Sequence, residues 1–306
     1  MRGLFKLKFI ATFTLVLLFG VIAGIFALIL WYFGATGFIG ISLVLAFSVI
    51  MILLQWYLSP LIIKSVYRMR EISKEEYPWI HEIVEDICKK EGMKKPKIYL
   101  VDDPTPNAFA FGRSRGSANV AIHRGLLELL DKEEVKAVIA HELGHIRNRD
   151  MIVMCIASIL PILLYYLAII FTPRDREEGA SIGLLIFFLA MIARFIGHLI
   201  VLWLSRTREY FADSYSAYIT GSPRSLASAL VKISYNIPRF RKNRTHSMLR
   251  AFYIADPFSS ESVRGAMERE KKLGALEWFM THPLTYKRIE NLRKIEEELK
   301  KSGTPR

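Results

Sequence analysis

Val138-Ile139-Ala140-His141-Glu142-Leu143-Gly144-His145 is the stretch on which the reading of the chain turns. It carries the pattern His-Glu-x-x-His inside a segment of helical periodicity, with Val135, Val138 and Ile139 as its apolar face. On a helix of 3.6 residues per turn, positions four apart lie about 40° from one another around the axis, so both imidazoles can reach one metal ion. Glu142 falls on the adjoining flank. There it is poorly placed as a third ligand and well placed to take a proton from an attacking water. Upstream, Asp131 followed by Glu134 predicts a capping box at the helix start. Two ligands beside a base is what a zinc-dependent hydrolase requires. A surface helix that happens to bear two histidines satisfies the same short pattern, so the rest of the chain has to decide.

Composition points to a membrane. Hydrophobic residues make up 52% of the 306, and the net charge is +13. That charge suits either nucleic acid or the anionic face of a bilayer. Aromatic and basic residues do not interleave as in a nucleic-acid module, so a lipid bilayer is the expected partner and nucleic acid is not. The only cysteines, Cys88 and Cys155, exclude a disulfide framework and have no partner at metal-ligand spacing.

Four apolar runs follow one another along the chain. Residues 9–33, after Arg2, Lys6 and Lys8, and residues 38–62, closed by Lys64, Arg68 and Arg70, predict an N-terminal transmembrane hairpin over 1–63. The basic flanks put the N-terminus and everything beyond residue 63 in the cytoplasm. Residues 151–171 and 180–204 predict a second hairpin. Arg194 and His198 lie in the middle of its second run, either lining a wet interior or marking a hairpin only partly in lipid.

Between the hairpins, an amphipathic helix is expected over 74–92 with Ile80, Ile83 and Ile87 on one face. Strands are expected at 97–101, 107–112 and 119–122, with a short helix near 125–130 before the His-Glu-x-x-His helix. The last helix is expected to start at Thr281-His282-Pro283. The resulting fold class is α+β, mostly helical. It comprises the hairpin 1–63, a first part of the zinc-motif domain 64–150, the apolar hairpin 151–204 and a second part of that domain 205–306. His81, His123 and His246 read as ordinary surface or turn residues.

A third metal ligand has to come from elsewhere. A class with a further histidine at position 151 is excluded, because Met151 stands there. His145 lies six residues before the third apolar run and Glu209 five after the fourth. An antiparallel hairpin would therefore bring both to the same height, roughly 8–9 Å beyond its end at 1.5 Å per residue. Asp213, one turn beyond Glu209, could orient His141 through its other ring nitrogen. Two solvated acids on a helix surface are the plain alternative.

Four motifs in order, Asn107-Ala108-Phe109-Ala110, the stretch Ala140–His145, Arg208-Glu209-Tyr210-Phe211-Ala212-Asp213, and Thr281-His282-Pro283 with Arg288-Ile289, resemble the HtpX-type membrane zinc metalloproteases. These belong to the gluzincin group, related to the CAAX prenyl proteases. The resemblance spans nearly the whole chain. It implies one Zn²⁺ held by His141, His145 and Glu209, with Glu142 as general base and His282 as a donor to the oxyanion. It also implies that Asn107, Ala108 and Phe109 form an edge strand that pairs with an extended substrate. The implied enzyme is a multi-pass protein of the plasma membrane that cuts misfolded or damaged membrane proteins on the cytoplasmic side. The implied alternatives are a prenyl-protein protease, whose relatives enclose a chamber with seven spans against four at most here, and a non-catalytic scaffold that retains the zinc site.

Overall fold

The structure, a computed structural model, describes residues 37–170, 179–234, 265, 267, 268, 270–272 and 274–302. The first apolar run, the basic stretch 235–250 and His246 lie outside the described residues.

The second apolar run folds as helix α1 (Gly37–Tyr67), with Pro60 in its interior. Proline has no amide hydrogen, so the carbonyl four residues back loses its helical partner. That carbonyl, Trp56 O, accepts instead from Ser59 Oγ at 3.0 Å. One residue further on, Tyr57 O accepts from Arg113 Nε at 2.9 Å, and the Arg113 guanidinium lies 4.0 Å over the Tyr57 ring. The turn between two strands is thus pinned to this helix where it is weakest.

The sheet has the order β1-β2-β4-β3, built from β1 (Arg70–Glu71), β2 (Lys97–Val101), β3 (Ala108–Phe111) and β4 (Asn119–His123). β2 and β4 run parallel, and the outer pairs are antiparallel. Both inner strands are buried almost throughout, and the two-residue period sorts their side chains onto two faces. Ile98, Leu100, Val120 and Ile122 join the main core with Ile80, Val84, Leu126, Val135 and Ile139. Tyr99, Val101, Phe111 and Ala121 form a smaller cluster against Ile63 and Met69. Helix α2 (Pro78–Lys90) contributes Ile80, Val84, Ile87 and Cys88 to the main core, and the short helix α3 (Arg124–Leu129) contributes Leu126.

Burial pushes the Cys88 thiol up to about 11. In a Cys155→Ser background, Cys88 is therefore expected to resist alkylation at pH 8 until the protein unfolds. Mass measurement after timed labelling, with and without denaturant, checks this.

Several boundaries differ from the sequence expectation. Helix α2 begins at Pro78 rather than near residue 74, because proline disfavours helical backbone in the residue before it and suits the first helical position. The two-residue strand β1 was not expected at all. The third apolar run is not one helix but two, α5 (Asp150–Ala157) and α6 (Leu160–Ile170), parted where Pro161 deprives Ala157 of its helical hydrogen bond. The fourth run extends well past its apolar part, as α7 (Gly179–Thr220). Helix α8 (Pro223–Ser234) follows.

The last helix, α9, spans Thr285–Lys301 and so starts beyond the expected His282-Pro283. Its first amides are satisfied from outside the helix: Glu270 accepts from Thr285 N at 2.9 Å and from Tyr286 N at 3.0 Å. His81 and His123 are buried, not on the surface. His81 Nε2 lies 3.2 Å from Ile72 O, and Lys95 Nζ is 2.9 Å from its Nδ1.

Two compact units share the chain, one comprising residues up to Gln55 with Ile156–His198, the other Trp56–Cys155 with Leu199–Arg306. Three stretches among the described residues are long and apolar enough to cross a membrane: Ser42–Tyr67, Asp150–Leu167 and Phe187–Thr220. In the first unit, Leu185, Phe188, Ile192 and Phe195 are exposed, a surface suited to lipid rather than water. Arg194 and His198 are exposed as well.

Candidate active site

The metal-motif helix, α4 (Lys132–Arg147), begins as the sequence predicts. Asp131 Oδ1 accepts from Glu134 N at 2.9 Å, and Glu134 Oε2 accepts from Asp131 N at 3.0 Å. Helix α4 packs closely against α7 at Gly144. A Cβ there would lie 2.9 Å from Tyr215 Cδ1 and 3.2 Å from Ala212 Cα. Gly144→Ala is therefore expected to destabilise the protein by about 1–3 kcal/mol through overpacking, read as a lowered unfolding temperature. The same displacement would push the helix bearing Glu209 away from both histidines.

On α7, Arg206, Glu209, Asp213 and Ser216 follow one another at three- and four-residue spacing, and all four are buried. A polar stripe facing inward has to find partners in the protein. Ser216 Oγ donates to Ala137 O at 2.7 Å, tying the stripe to α4. Arg206 Nη1 donates to the backbone carbonyls of Glu277 and Met280, each at 2.9 Å, and so holds the turn that precedes His282.

The middle of the stripe meets the two histidines. Donor atoms of His141, His145 and Glu209 all lie within 4.8 Å of one another. The two Nε2 atoms are 3.1 Å apart, and the Glu209 carboxylate stands 3.7 Å from His141 Nε2 and 3.6 Å from His145 Nε2. The opposite ring nitrogens face carboxylates. His141 Nδ1 lies 3.0 Å from Asp213 Oδ1, and His145 Nδ1 lies 2.6 Å from Asp150 Oδ2. Each imidazole is therefore set to keep its proton on Nδ1 and offer the Nε2 lone pair to the shared space.

Asp213 is wholly buried, at 0% exposure, and cannot stand there alone. Arg288 of α9 donates to it twice, from Nε at 2.8 Å and from Nη2 at 2.6 Å, while its Nη1 reaches Glu209 Oε2 at 3.1 Å. Burial acts to lower the Arg288 pKa, but the Asp213 and Glu209 carboxylates outweigh it and hold the guanidinium above its ordinary value. Arg288 thus stays charged and neutralises the acids at the back of the site.

Glu142 turns to the sheet. Its Oε2 accepts from Ala110 N of β3 at 2.7 Å. β3 is an edge strand, and Asn107, Ala108 and Phe109 stand at its start. His282 has an exposed side chain whose Nδ1 lies 3.1 Å from Glu209 Oε1.

The structure therefore brings together His141, Glu142, His145, Glu209, Asp213 and His282 in one place. Three participants had no role assigned from sequence. Arg288 and Arg208 stood inside quoted motifs, but nothing local says what a lone arginine will pair with. Asp150, five residues after His145, offered only its proximity.

Two imidazole nitrogens and a carboxylate, each imidazole backed by a carboxylate, form a donor set that fits a divalent metal of the zinc type. Comparisons with known proteins agree. Residues 74–296 match the family described as peptidase family M48. A protein named Protease HtpX homolog from Aquifex aeolicus is 37% identical over 274 residues, covering 86% of each chain. Its namesake from Methanothermobacter thermautotrophicus is 40% identical over 241 residues, 78% of this chain and 90% of that one. The crystal structure of S. mikatae Ste24p shares the fold, with a TM-score of 0.61 at 18% identity over 95% of this chain and 67% of that one. The chain belongs to peptidase family M48, as a metalloprotease with helices fit to cross a membrane.

Proposed function

We propose that the metal is zinc, held by His141, His145 and Glu209. The enzyme hydrolyses peptide bonds of unfolded or damaged membrane proteins at the cytosolic face of the plasma membrane. The chain divides accordingly into an N-terminal membrane hairpin 1–63, protease parts 64–150 and 205–306, and a second apolar hairpin 151–204 between them.

One juxtaposition carries this reading: Glu142, on the helix that bears His141 and His145, accepts a hydrogen bond from Ala110 N on the free edge of β3. His123 N donates to Asn107 O at 2.9 Å, which makes that residue pair a hydrogen-bonded one in the antiparallel ladder. Alternation then turns the backbone of Phe109 and Phe111 towards β4, and that of Ala108 and Ala110 towards the open edge. An extended peptide adding to that edge as a further strand would run directly past the Glu142 carboxylate.

Bound zinc supplies Lewis acidity, which polarises a scissile carbonyl and makes water a stronger acid. Glu142 takes the proton from the attacking water and returns it to the leaving amine. Asp213 orients His141. His282, exposed beside Glu209, donates to the oxygen of the tetrahedral intermediate.

The test uses detergent-purified protein and an unfolded membrane protein as substrate, with a prenylated CAAX peptide alongside. Cleavage of the unfolded protein should stop on chelation and return with zinc. Exclusive cleavage of the prenylated peptide would favour the prenyl-protease reading. Stoichiometric zinc without cleavage of either would favour a scaffold.

A further inference from the structure

Asp150 and Arg208 lie outside the donor set, and the mechanism above does not use them. Asp150 is buried and begins helix α5, immediately after Arg149, whose φ of 59° is left-handed. A non-glycine residue is strained in that conformation. The sharp reversal it permits lets a carboxylate only five residues past His145 come back to that residue's Nδ1 at 2.6 Å.

Arg208 secures the other end. It pairs with Asp150 Oδ1 and also donates from Nη2 to Asn148 O, the carbonyl that closes helix α4, at 2.5 Å. It is the chain neighbour of Glu209. The helix that presents the third donor therefore also grips the end of the helix presenting the first two, through the adjacent residue.

Set beside Arg288–Asp213–His141, this forms a second arrangement of the same kind, Arg208–Asp150–His145. We infer that Asp150 and Arg208 are positioning residues for the metal centre. In this inference, which rests on the zinc reading above, they fix the ring and tautomer of His145 and the spacing between His145 and Glu209. Arg208, paired with Asp150 Oδ1, leaves Oδ2 to face the Nδ1 of His145. It also leaves each carboxylate–arginine pair neutral, so no net charge accumulates behind the ligands.

The experiment measures zinc affinity on full-length protein in detergent by competition with a chromophoric chelator, and the visible spectrum of the cobalt-substituted form. Asp150→Asn and Arg208→Gln are each expected to weaken zinc binding by about 10–100-fold. Both should alter the cobalt spectrum, and the double variant should be little worse than either single one, since the two act as one unit. Arg208→Lys keeps the charge but not the forked geometry, and should recover part of the loss. A purely structural role would lower the unfolding temperature and leave zinc affinity and the cobalt bands of the folded fraction as in wild type. That result overturns the inference, as does wild-type zinc affinity in both Asp150→Asn and Arg208→Gln. Absence of zinc uptake by the wild-type protein is a distinct outcome, and overturns the zinc reading and this inference together.

Discussion

Glu142→Gln is expected to abolish peptide-bond cleavage while leaving the metal in place. The side chain is not among the converging donors, and it accepts a hydrogen bond from Ala110 N at 2.7 Å. Glutamine preserves shape and can still accept that bond through its amide oxygen, but it cannot take a proton from water. Removing a general base typically lowers the rate by about 10²–10⁴-fold, so kcat on an unfolded substrate should fall by that order. Metal content and unfolding temperature should stay at wild-type values. Measuring all three on one preparation separates loss of chemistry from loss of the site. Residual cleavage within tenfold of wild type would remove Glu142 from the role of base.

The largest effect on stability is expected from Arg288→Met. Methionine fills much of the same volume, so the change mainly deletes charge. It leaves Asp213 at 0% exposure with its two guanidinium hydrogen bonds gone and Glu209 without its neighbour on α9. Removing one partner of a buried ion pair costs about 3–5 kcal/mol, and denaturant unfolding should show a loss of that size. Asp213→Asn combined with Arg288→Met should be less destabilising than Arg288→Met alone, because the fully buried Asp213 charge is then removed together with its partner. If the double variant were instead the sum of two large losses, the charge argument would fail and packing would have to explain the effect.

What the sequence reveals of this site follows from how far apart its contacts are along the chain. The His141–His145 pair and the Asp131–Glu134 box are local, separated by four and three residues, and helical geometry alone places them. The strand Lys97–Val101 is legible because its apolar run is short and broken cleanly at Asp102-Asp103-Pro104. Glu209 was reachable only through the two apolar runs that separate it from His145.

Arg288 was not legible as a partner, since its acids lie 75 residues away for Asp213 and further for Glu209. Arg208 and Asp150 are 58 residues apart and were missed for the same reason. The start of α9 was misplaced because Glu270, outside that helix, supplies its cap. The break before Pro161 was missed because hydropathy is blind to a lost backbone hydrogen bond. Local rules recover elements, and misjudge them where a distant side chain or a proline decides the boundary.

The distance from Asp213 to Arg288 also sets an order of events in synthesis. When α7 leaves the ribosome it carries Glu209 and Asp213 before Arg288 is made, and Arg206 before the turn at 277–280 that it holds. After Asp213, 75 further residues must be added before α9 can deliver Arg288. Until then the two acids of the stripe lack the cation that neutralises them. A nascent or prematurely ended chain can therefore possess His141, Glu142, His145 and Glu209 and still have no finished site.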